Sequence, residues 1–239
     1  MSETILRNQR IWIDTLQIAG AANSVALSLE SAELDRTTLE DTARRRRGGL
    51  YDHTIGIDGY ADKATIEAAL FAEVGLADRT IVITAPDAAE DGIAYAAKCF
   101  AGSFTPLDGA VGDLGAFSLS ASADGKIVRG ALAFNRTITA DAPFANVVEL
   151  NSVESGRKLY AILIVSGFDV DDELDVTVNS SASAGLPSTT LRITFPTITA
   201  DGVYWQEWGG ETSHAFFVSS FDVEGSSPSI AATLVLAVV

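Results

Sequence analysis

The chain has 239 residues and carries 16 basic and 32 acidic side chains, which gives a formal net charge of −16. A surface of this sign repels nucleic-acid phosphates and anionic membranes at long range, which argues against a sequence-specific DNA-binding protein. The single cysteine, Cys99, excludes an intrachain disulfide and a cysteine-rich metal centre.

The length suits two compact domains of roughly 100 to 140 residues each. The N-terminal segment MSETILRNQRIWIDTLQ lacks the unbroken apolar run of a signal peptide, and no stretch approaches the roughly 20 apolar residues of a membrane helix. We therefore expect a protein folded in a cytoplasm, without a membrane partner.

The first predicted elements are two half-buried strands. Apolar residues alternate with polar ones over residues 24–30 (SVALSLE) and again over residues 51–58 (YDHTIGID), which is the period of a strand with one buried face. Residues 33–50 lie between them and are polar and turn-rich. We expect this segment to be a long connection between the two strands.

One helix is predicted next, over residues 62–75 (DKATIEAALFAEVG). Asp62 can cap its N-terminus, Gly75 can end it, and Ile66, Leu70 and Val74 form a narrow apolar stripe. Strand patterns follow, and Asp124-Gly125 between two alternating runs predicts a hairpin. Residues 1–140 are thus expected to form a strand-rich sandwich or barrel with one packed helix.

From about Pro143 onward the pattern predicts an all-β sandwich, residues 141–239. Six alternating runs, separated by glycine- and serine-rich turns, cover residues 157–168, 173–180, 189–198, 203–209, 214–223 and 229–239. This part holds 3 basic and 13 acidic side chains, against 13 and 19 in the first 140 residues, so it is the more acidic of the two predicted domains.

The residue types needed for catalysis are scarce. The only histidines, His53 and His214, fall in different predicted domains, and no phosphate-binding glycine motif occurs. The acidic run 169–175 (DVDDELD) lacks the glycine and glutamate of an EF-hand loop, and we interpret it as a solvated loop. We expect no catalytic, cofactor or metal site, and an enzyme is the least favoured class.

Three aromatic residues allow a different function. Tyr204, Trp205 and Trp208 lie in the short segment YWQEWGG and could form a sugar-stacking face, although an aromatic core is the ordinary interpretation. A carbohydrate-binding module therefore stays open as an alternative.

Four consecutive arginines, Arg44 to Arg47, form the densest positive charge in this acidic chain. Adjacent guanidinium groups repel each other unless they stay in water or meet carboxylates or phosphates. The surrounding acidic residues disfavour phosphate, so an acidic surface on another copy of the chain is the partner that the sequence favours over a plain solvated loop.

Residues 24–60 carry a resemblance to a known family. Their order is a strand, an ELDRTT stretch, a DTARRRRGGL loop and a second strand, which resembles the N-terminal hairpin of the major tail (tail tube) proteins of long-tailed siphophages. The following helix, strands and GAVGD segment (109–113) stand in the order expected of that family, and the likeness spans about residues 5–135. The part after residue 140 is similar to β-sandwich extensions of phage structural proteins.

The resemblance implies a virion structural protein, assembled in the host cytoplasm, that polymerises into stacked rings around a channel for DNA. Its partners would be further copies of itself, in hexamers or in pseudo-sixfold trimers, and other phage tail proteins, and genomic DNA would pass without specific binding. The inter-subunit stacking loop would contain Glu33, Asp35, Asp41, Arg44, Arg45, Arg46, Arg47, Gly48 and Gly49. Glu30, Asp52 and Asp58 are candidate acidic residues of the lumen. A capsid cement or decoration protein is the structural alternative.

Overall fold

The computed structural model describes residues 9–18, 20–60, 66–84, 90–108, 114–142 and 146–239. The chain is mainly β, with antiparallel strand pairs, and the described residues contain one short helix; the expected fold class is confirmed. In chain order the elements are β1 (Ile11–Ile13), β2 (Leu16–Gln17), β3 (Ala22–Asp35), β4 (Arg46–Tyr60), α1 (Ile66–Glu73), β5 (Arg79–Thr84), β6 (Ile93–Asp108), β7 (Ala116–Ala123), β8 (Val128–Ile138), β9 (Val147–Glu149), β10 (Leu159–Ser166), β11 (Glu173–Ser181), β12 (Thr190–Thr194), β13 (Gly202–Trp208), β14 (Phe216–Glu224) and β15 (Ile230–Val238).

The chain forms two compact units that do not follow a single cut in the sequence. The hairpin unit comprises residues 18–81 and 97–127, and the sandwich unit comprises residues 1–17, 82–96 and 128–239. Strands β5 and β6 contribute residues to both units. The predicted independent domains 1–140 and 141–239 stay a prediction, and the proposed boundary at Pro143 lies outside the described residues.

The hairpin unit is built on four antiparallel strands in the order β3-β4-β7-β6. Alternate residues of β4 and β7, among them Ile55, Ile57 and Leu119, are buried and form the core face. Helix α1 contributes the fully buried Leu70. Its end is tied to β6, because the Gly75 N–H donates to the Ala101 carbonyl at 3.0 Å, and Gly75 adopts the positive φ of 83° that ends many helices.

Part of the predicted helix stripe is confirmed. Leu70 is buried, whereas Val74 lies beyond the end of α1 and is exposed. Asp62, the predicted cap, and the GAVGD segment lie outside the described residues.

The sandwich unit packs two sheets face to face. One sheet has the order β13-β10-β15-β8 and continues through β6, β5, β1 and β2; the other has the order β12-β11-β14-β9. Buried residues of both sheets form one large cluster, and Phe134 meets Phe221 edge to face at 4.4 Å between ring centroids. A second cluster, which includes Trp12, Ile162 and Val235, lies on the opposite face of the first sheet.

The hairpin predicted at Asp124-Gly125 is wrong. The chain bends there and Gly125 has a φ of 91°, but β7 and β8 do not pair with each other. Both pair with the long strand β6, β7 along residues 99–108 and β8 along residues 93–96. A favourable turn sequence fixes local chain direction, whereas pairing is decided by which strand offers a free edge and a matching buried face.

Candidate functional site

The most unusual part of the structure is the long hairpin β3–β4. Its strands have 14 and 15 residues and stay paired from Ala22↔Gly59 to Asp35↔Arg46. Because β4 pairs with β7 only from Thr54 onward, residues 29–35 and 46–53 form a two-stranded ribbon, here called the distal ribbon. A two-stranded ribbon is at best marginally stable in water on its own.

The distal ribbon presents apolar side chains to solvent. Leu50 is 85% exposed, and Leu29, Leu34 and Tyr51 are more than half exposed. Single exposed apolar residues are ordinary, but several on one ribbon without a core are typical of a surface that another protein covers.

The predicted connection, residues 33–50, is wrong because it is longer than the connection in the structure. Glu33 to Asp35 belong to β3 and Arg46 to Leu50 belong to β4, so the true loop is residues 36–45. The Arg36 N–H donates to the Arg45 carbonyl at 3.0 Å and closes it. We call residues 36–47 the arginine tip.

Internal contacts organise the arginine tip. Arg45 pairs with Asp41 and Arg46 with Glu33, each at 2.7 Å. Asp35 accepts hydrogen bonds from the hydroxyl and the N–H of Thr37, and these hold the pKa of its carboxyl below the usual value. Asp41 also accepts from the N–H and the hydroxyl of Thr38.

The other three arginines of the tip make no ion pair within the described residues. Arg36, Arg44 and Arg47 are exposed, and none of them has a carboxylate partner within the described part of the chain. The tip thus holds its own shape with two guanidinium groups, while the other three are exposed to solvent.

Gly48 and Gly49 lie within β4, not at a turn. The pairing register of β3 and β4 shifts between Ser31 and Glu33, so the strand pair has a β-bulge at this point. A Cβ on Gly49 would lie 2.9 Å from the Ala32 carbonyl oxygen, which requires glycine, whereas a Cβ on Gly48 would meet only the Ser31 hydroxyl, at 3.5 Å.

The second feature is the exposed face of the same four strands, here called the polar face. Three rows cross the sheet in register. Their members are Ser24, Asp58, Ser118 and Thr105; Ala26, Gly56, Ser120 and Ser103; and Ser28, Thr54, Ser122 and Phe100. These rows contain small and hydroxyl side chains, one carboxylate, one exposed aromatic ring (Phe100) and no cation, and Lys98 lies just beyond the last row.

The candidate lumen residues all point to this side of the strands. Asp58 lies within the four-stranded part, whereas Glu30 and Asp52 are direct cross-strand partners on the distal ribbon, in the row after Ser28 and Thr54. All three are exposed. Alternation alone left two possible faces, and the burial of His53, Ile55 and Ile57 identifies the other face as the core.

The histidines have structural surroundings. His53 is buried, and its Nδ1 accepts the Glu30 backbone N–H at 3.0 Å at the base of the distal ribbon. The Nδ1 of His214 lies 3.0 Å from the Ser180 hydroxyl, which also accepts a hydrogen bond from Arg192. Cys99 is buried.

The acidic run 169–175 holds a turn together. The Asp169 N–H donates to the buried Asp172 carboxylate, and Asp175 accepts from the Thr197 hydroxyl. Among the described residues there is no group of three or more histidine, cysteine or acidic side chains placed to hold a metal ion.

The three aromatic residues do not share a surface. Tyr204 and Trp208 pack against the large core cluster of the sandwich unit, whereas Trp205 packs against the second cluster on the other side of the sheet. Alternate residues of β13 point to opposite faces, so the three rings do not form a single stacking platform.

No protein-family model matches the chain, and no curated protein matches it. Among solved structures, the chain is similar to one from the virion of a native gene transfer agent particle (TM-score 0.39, 18% identity, 50% of this chain and 95% of that chain). It is also similar to a chain of the sheath/tube terminator of an extracellular contractile injection system (TM-score 0.45, 14% identity, 55% and 98%). A third similar structure is the SPP1 Dit protein, a hub of the adsorption apparatus in phages that infect Gram-positive bacteria (TM-score 0.38, 11% identity, 98% and 100%).

Within the described residues, no helix has the length and apolarity to cross a membrane.

Proposed function

We propose that this protein is the ring-forming subunit of the tail tube of a long-tailed phage. The observation that carries the proposal is the polar face, an exposed four-stranded surface on which small, hydroxyl and acidic residues predominate, with Phe100 at one side; its strands β3 and β4 continue into the distal ribbon, which lacks a core of its own. The two features match the two tasks of a tube subunit, which are to line a channel and to hold neighbouring copies.

Ring closure would use the open edge of the sheet. Within the described residues β3 pairs only with β4, so the backbone donors and acceptors of every other residue along this 14-residue strand are open at its other edge. Such an edge promotes uncontrolled aggregation unless it is paired or covered, and a closed ring of copies covers it. Six chains, or three in a pseudo-sixfold arrangement if the sandwich unit also acts as a tube module, would complete the ring.

Stacking of rings would use the distal ribbon and the arginine tip. The exposed Leu34 and Leu50 would be buried against an adjacent ring, at about 25 cal/mol for each Å² of apolar surface removed from water. Each exposed ion pair formed by the tip would contribute only about 0 to 1 kcal/mol, but the contact repeats at every subunit of the tube.

The polar face would line the channel. Glu30, Asp52 and Asp58 would repel the phosphates of the genome, and hydroxyl side chains would keep the wall hydrated, so that DNA passes without adhering. In this proposal the protein has no catalytic role or cofactor, resides in the virion after assembly in the host cytoplasm, and meets other tail proteins at the ends of the tube.

The test is size-exclusion chromatography of the purified protein combined with electron microscopy at high concentration. We expect stacked rings or hollow tubes, whose symmetry gives the number of chains in a ring. A particle that never polymerises but binds empty capsids would contradict the tube and favour a decoration protein instead.

A further inference from the structure

A second charged surface lies on the sandwich unit, on the outward face of β11 and β14. Glu173 is the direct cross-strand partner of Glu224, and Asp175 is that of Asp222. All four are exposed. We call these four residues, with the adjacent Asp141, the acidic ladder.

The acidic ladder places like charges where opposite charges would stabilise a sheet. Directly opposed like charges destabilise a strand pair. The negative charge of Asp141, followed by desolvation, raises the pKa of Asp222 above its ordinary value, and Glu224 and Asp175 add to the effect. No lysine or arginine of the described residues forms an ion pair with any of the five, so no cation among them offsets the repulsion.

An open groove of about 560 Å³ runs along this face. Asp141, Asp175 and Asp222 line it together with the polar side chains of Thr177 and Ser220. Carboxylates beside hydroxyl groups suit guanidinium, which donates in a planar fork to two acceptors at once and is weakly hydrated.

The chain itself carries a matching group. Arg36, Arg44 and Arg47 are exposed at the end of the distal ribbon without carboxylate partners within the described residues. The sandwich unit's acidic face and the arginine tip thus have opposite charge, and within the described residues the acidic ladder and the three arginines Arg36, Arg44 and Arg47 form no ion pair.

We propose that the acidic ladder of one copy of the chain binds the arginine tip of a second copy. The proposal rests on the proposed function, because it names the surface that receives the tip when copies polymerise. It assigns a role in assembly to the sandwich unit and an inter-subunit role to Glu173 and Asp175, which belong to β11 and not to the solvated loop expected from the sequence, and to Asp141, Asp222 and Glu224.

Charge exchange tests this contact. The variant Arg44→Glu/Arg47→Glu reverses the tip, and Asp175→Arg/Asp222→Arg reverses the ladder. We expect each variant to need at least 10-fold more protein than the wild type to form sedimentable assemblies, and the four-substitution variant to recover most of that loss. The control Asp169→Arg/Asp171→Arg makes the same charge change outside the ladder and should assemble like the wild type.

Two results would overturn the contact while leaving the proposed function intact: wild-type assembly by the ladder variant, or no recovery in a folded four-substitution variant. If the wild type itself never assembles, the proposed function fails instead.

A cross-linking experiment works without any charge reversal and does not depend on tube formation. The only native cysteine, Cys99, is buried, so introduced thiols react selectively. Mixing an Arg47→Cys copy with a Thr177→Cys copy under oxidising conditions should yield a disulfide-linked dimer. An Asp171→Cys copy in place of Thr177→Cys should not, and equal yields from both would contradict the proposal.

Discussion

At the residue scale, Arg192 shows how one cation is fixed in the acidic sandwich unit. Its Nε donates to the Ser180 hydroxyl at 2.7 Å and its Nη2 to the Thr212 hydroxyl at 3.0 Å. The guanidinium also lies over the Trp208 ring, 4.6 Å from the centroid. Hydrogen bonds and cation–π contact therefore hold it without a carboxylate partner.

Arg192→Ala should lower the free energy of unfolding by about 1 to 3 kcal/mol, because it removes the hydrogen bonds to the Ser180 and Thr212 hydroxyls and the contact with the Trp208 ring, although the Thr212 hydroxyl keeps the His214 N–H as a donor. Arg192→Lys keeps the charge but cannot reproduce the planar fork, so it should recover only part of the loss. Arg157→Ala, at an exposed position, is the control and should change stability by no more than about 0.5 kcal/mol in denaturant titrations.

Asp222→Asn should raise the melting temperature at neutral pH. The pKa of Asp222 is raised in the folded protein, chiefly by Asp141, so the folded state favours the uncharged form and repulsion grows as pH rises through that pKa. The advantage of the variant should shrink as pH falls toward 3.8, the ordinary value, where the wild-type carboxyl becomes protonated. Thermal melts at several pH values measure this. An advantage that is constant with pH, or equalled by Asp171→Asn, would contradict the account.

At the scale of elements, the hairpin β3–β4 has two parts: a base that belongs to the four-stranded sheet, and the distal ribbon, which has two strands only. The base is paired on both sides of β4 and covers the core, whereas the distal ribbon has only its own two strands. Folding of the unit and assembly of copies therefore depend on different parts of one element.

Leu34→Ser/Leu50→Ser should separate these two roles. Both leucines are exposed, so the melting temperature of the isolated subunit should change little, while assembly weakens because less apolar surface is buried between copies. Leu119→Ala is the contrasting control: it empties a buried site and should cost about 2 to 5 kcal/mol of stability. Unchanged assembly of the double serine variant would show that the distal ribbon is not an interface.

The sequence predicted strands well where one face is buried. Alternation located β10 to β15 within a few residues. It missed the ends of β3 and β4, because both faces of residues 31–35 and 46–50 meet solvent and no period-two apolar signal exists there.

The sequence did not predict features that depend on which residues face each other across two strands. The acidic ladder requires Asp175 to face Asp222, and register between strands 40 or so residues apart cannot be read from either strand alone. The separation of Trp205 from Tyr204 and Trp208 was readable, since adjacent strand residues point to opposite faces.

At the scale of the whole molecule, the net charge of −16 is compatible with both tasks that we propose for it. Carboxylates of the polar face would keep DNA from adhering to a channel, and those of the acidic ladder would bind the tip of another copy. Because contacts between exposed charges are screened by salt, assembly should weaken as ionic strength rises above about 0.15 M, where the Debye length is near 8 Å.

Asp58→Lys should leave assembly intact and make the channel retain DNA. The Asp58 side chain is exposed on the four-stranded part of the polar face, outside the distal ribbon and the arginine tip, so the substitution changes the charge of the wall and not the proposed contacts between rings. Capture of labelled short single-stranded DNA by preformed tubes is the readout. Retention equal to that of the wild type would argue that this face does not line the channel.

The most direct test of the central claim is a cryo-electron microscopy reconstruction of the assembled protein. We predict a hollow tube in which β3, β4, β7 and β6 of every copy form the inner wall, with Glu30, Asp52 and Asp58 facing the channel. An assembly without a channel, or a tube whose inner wall is formed by other strands while the polar face meets protein or the outside, would contradict it.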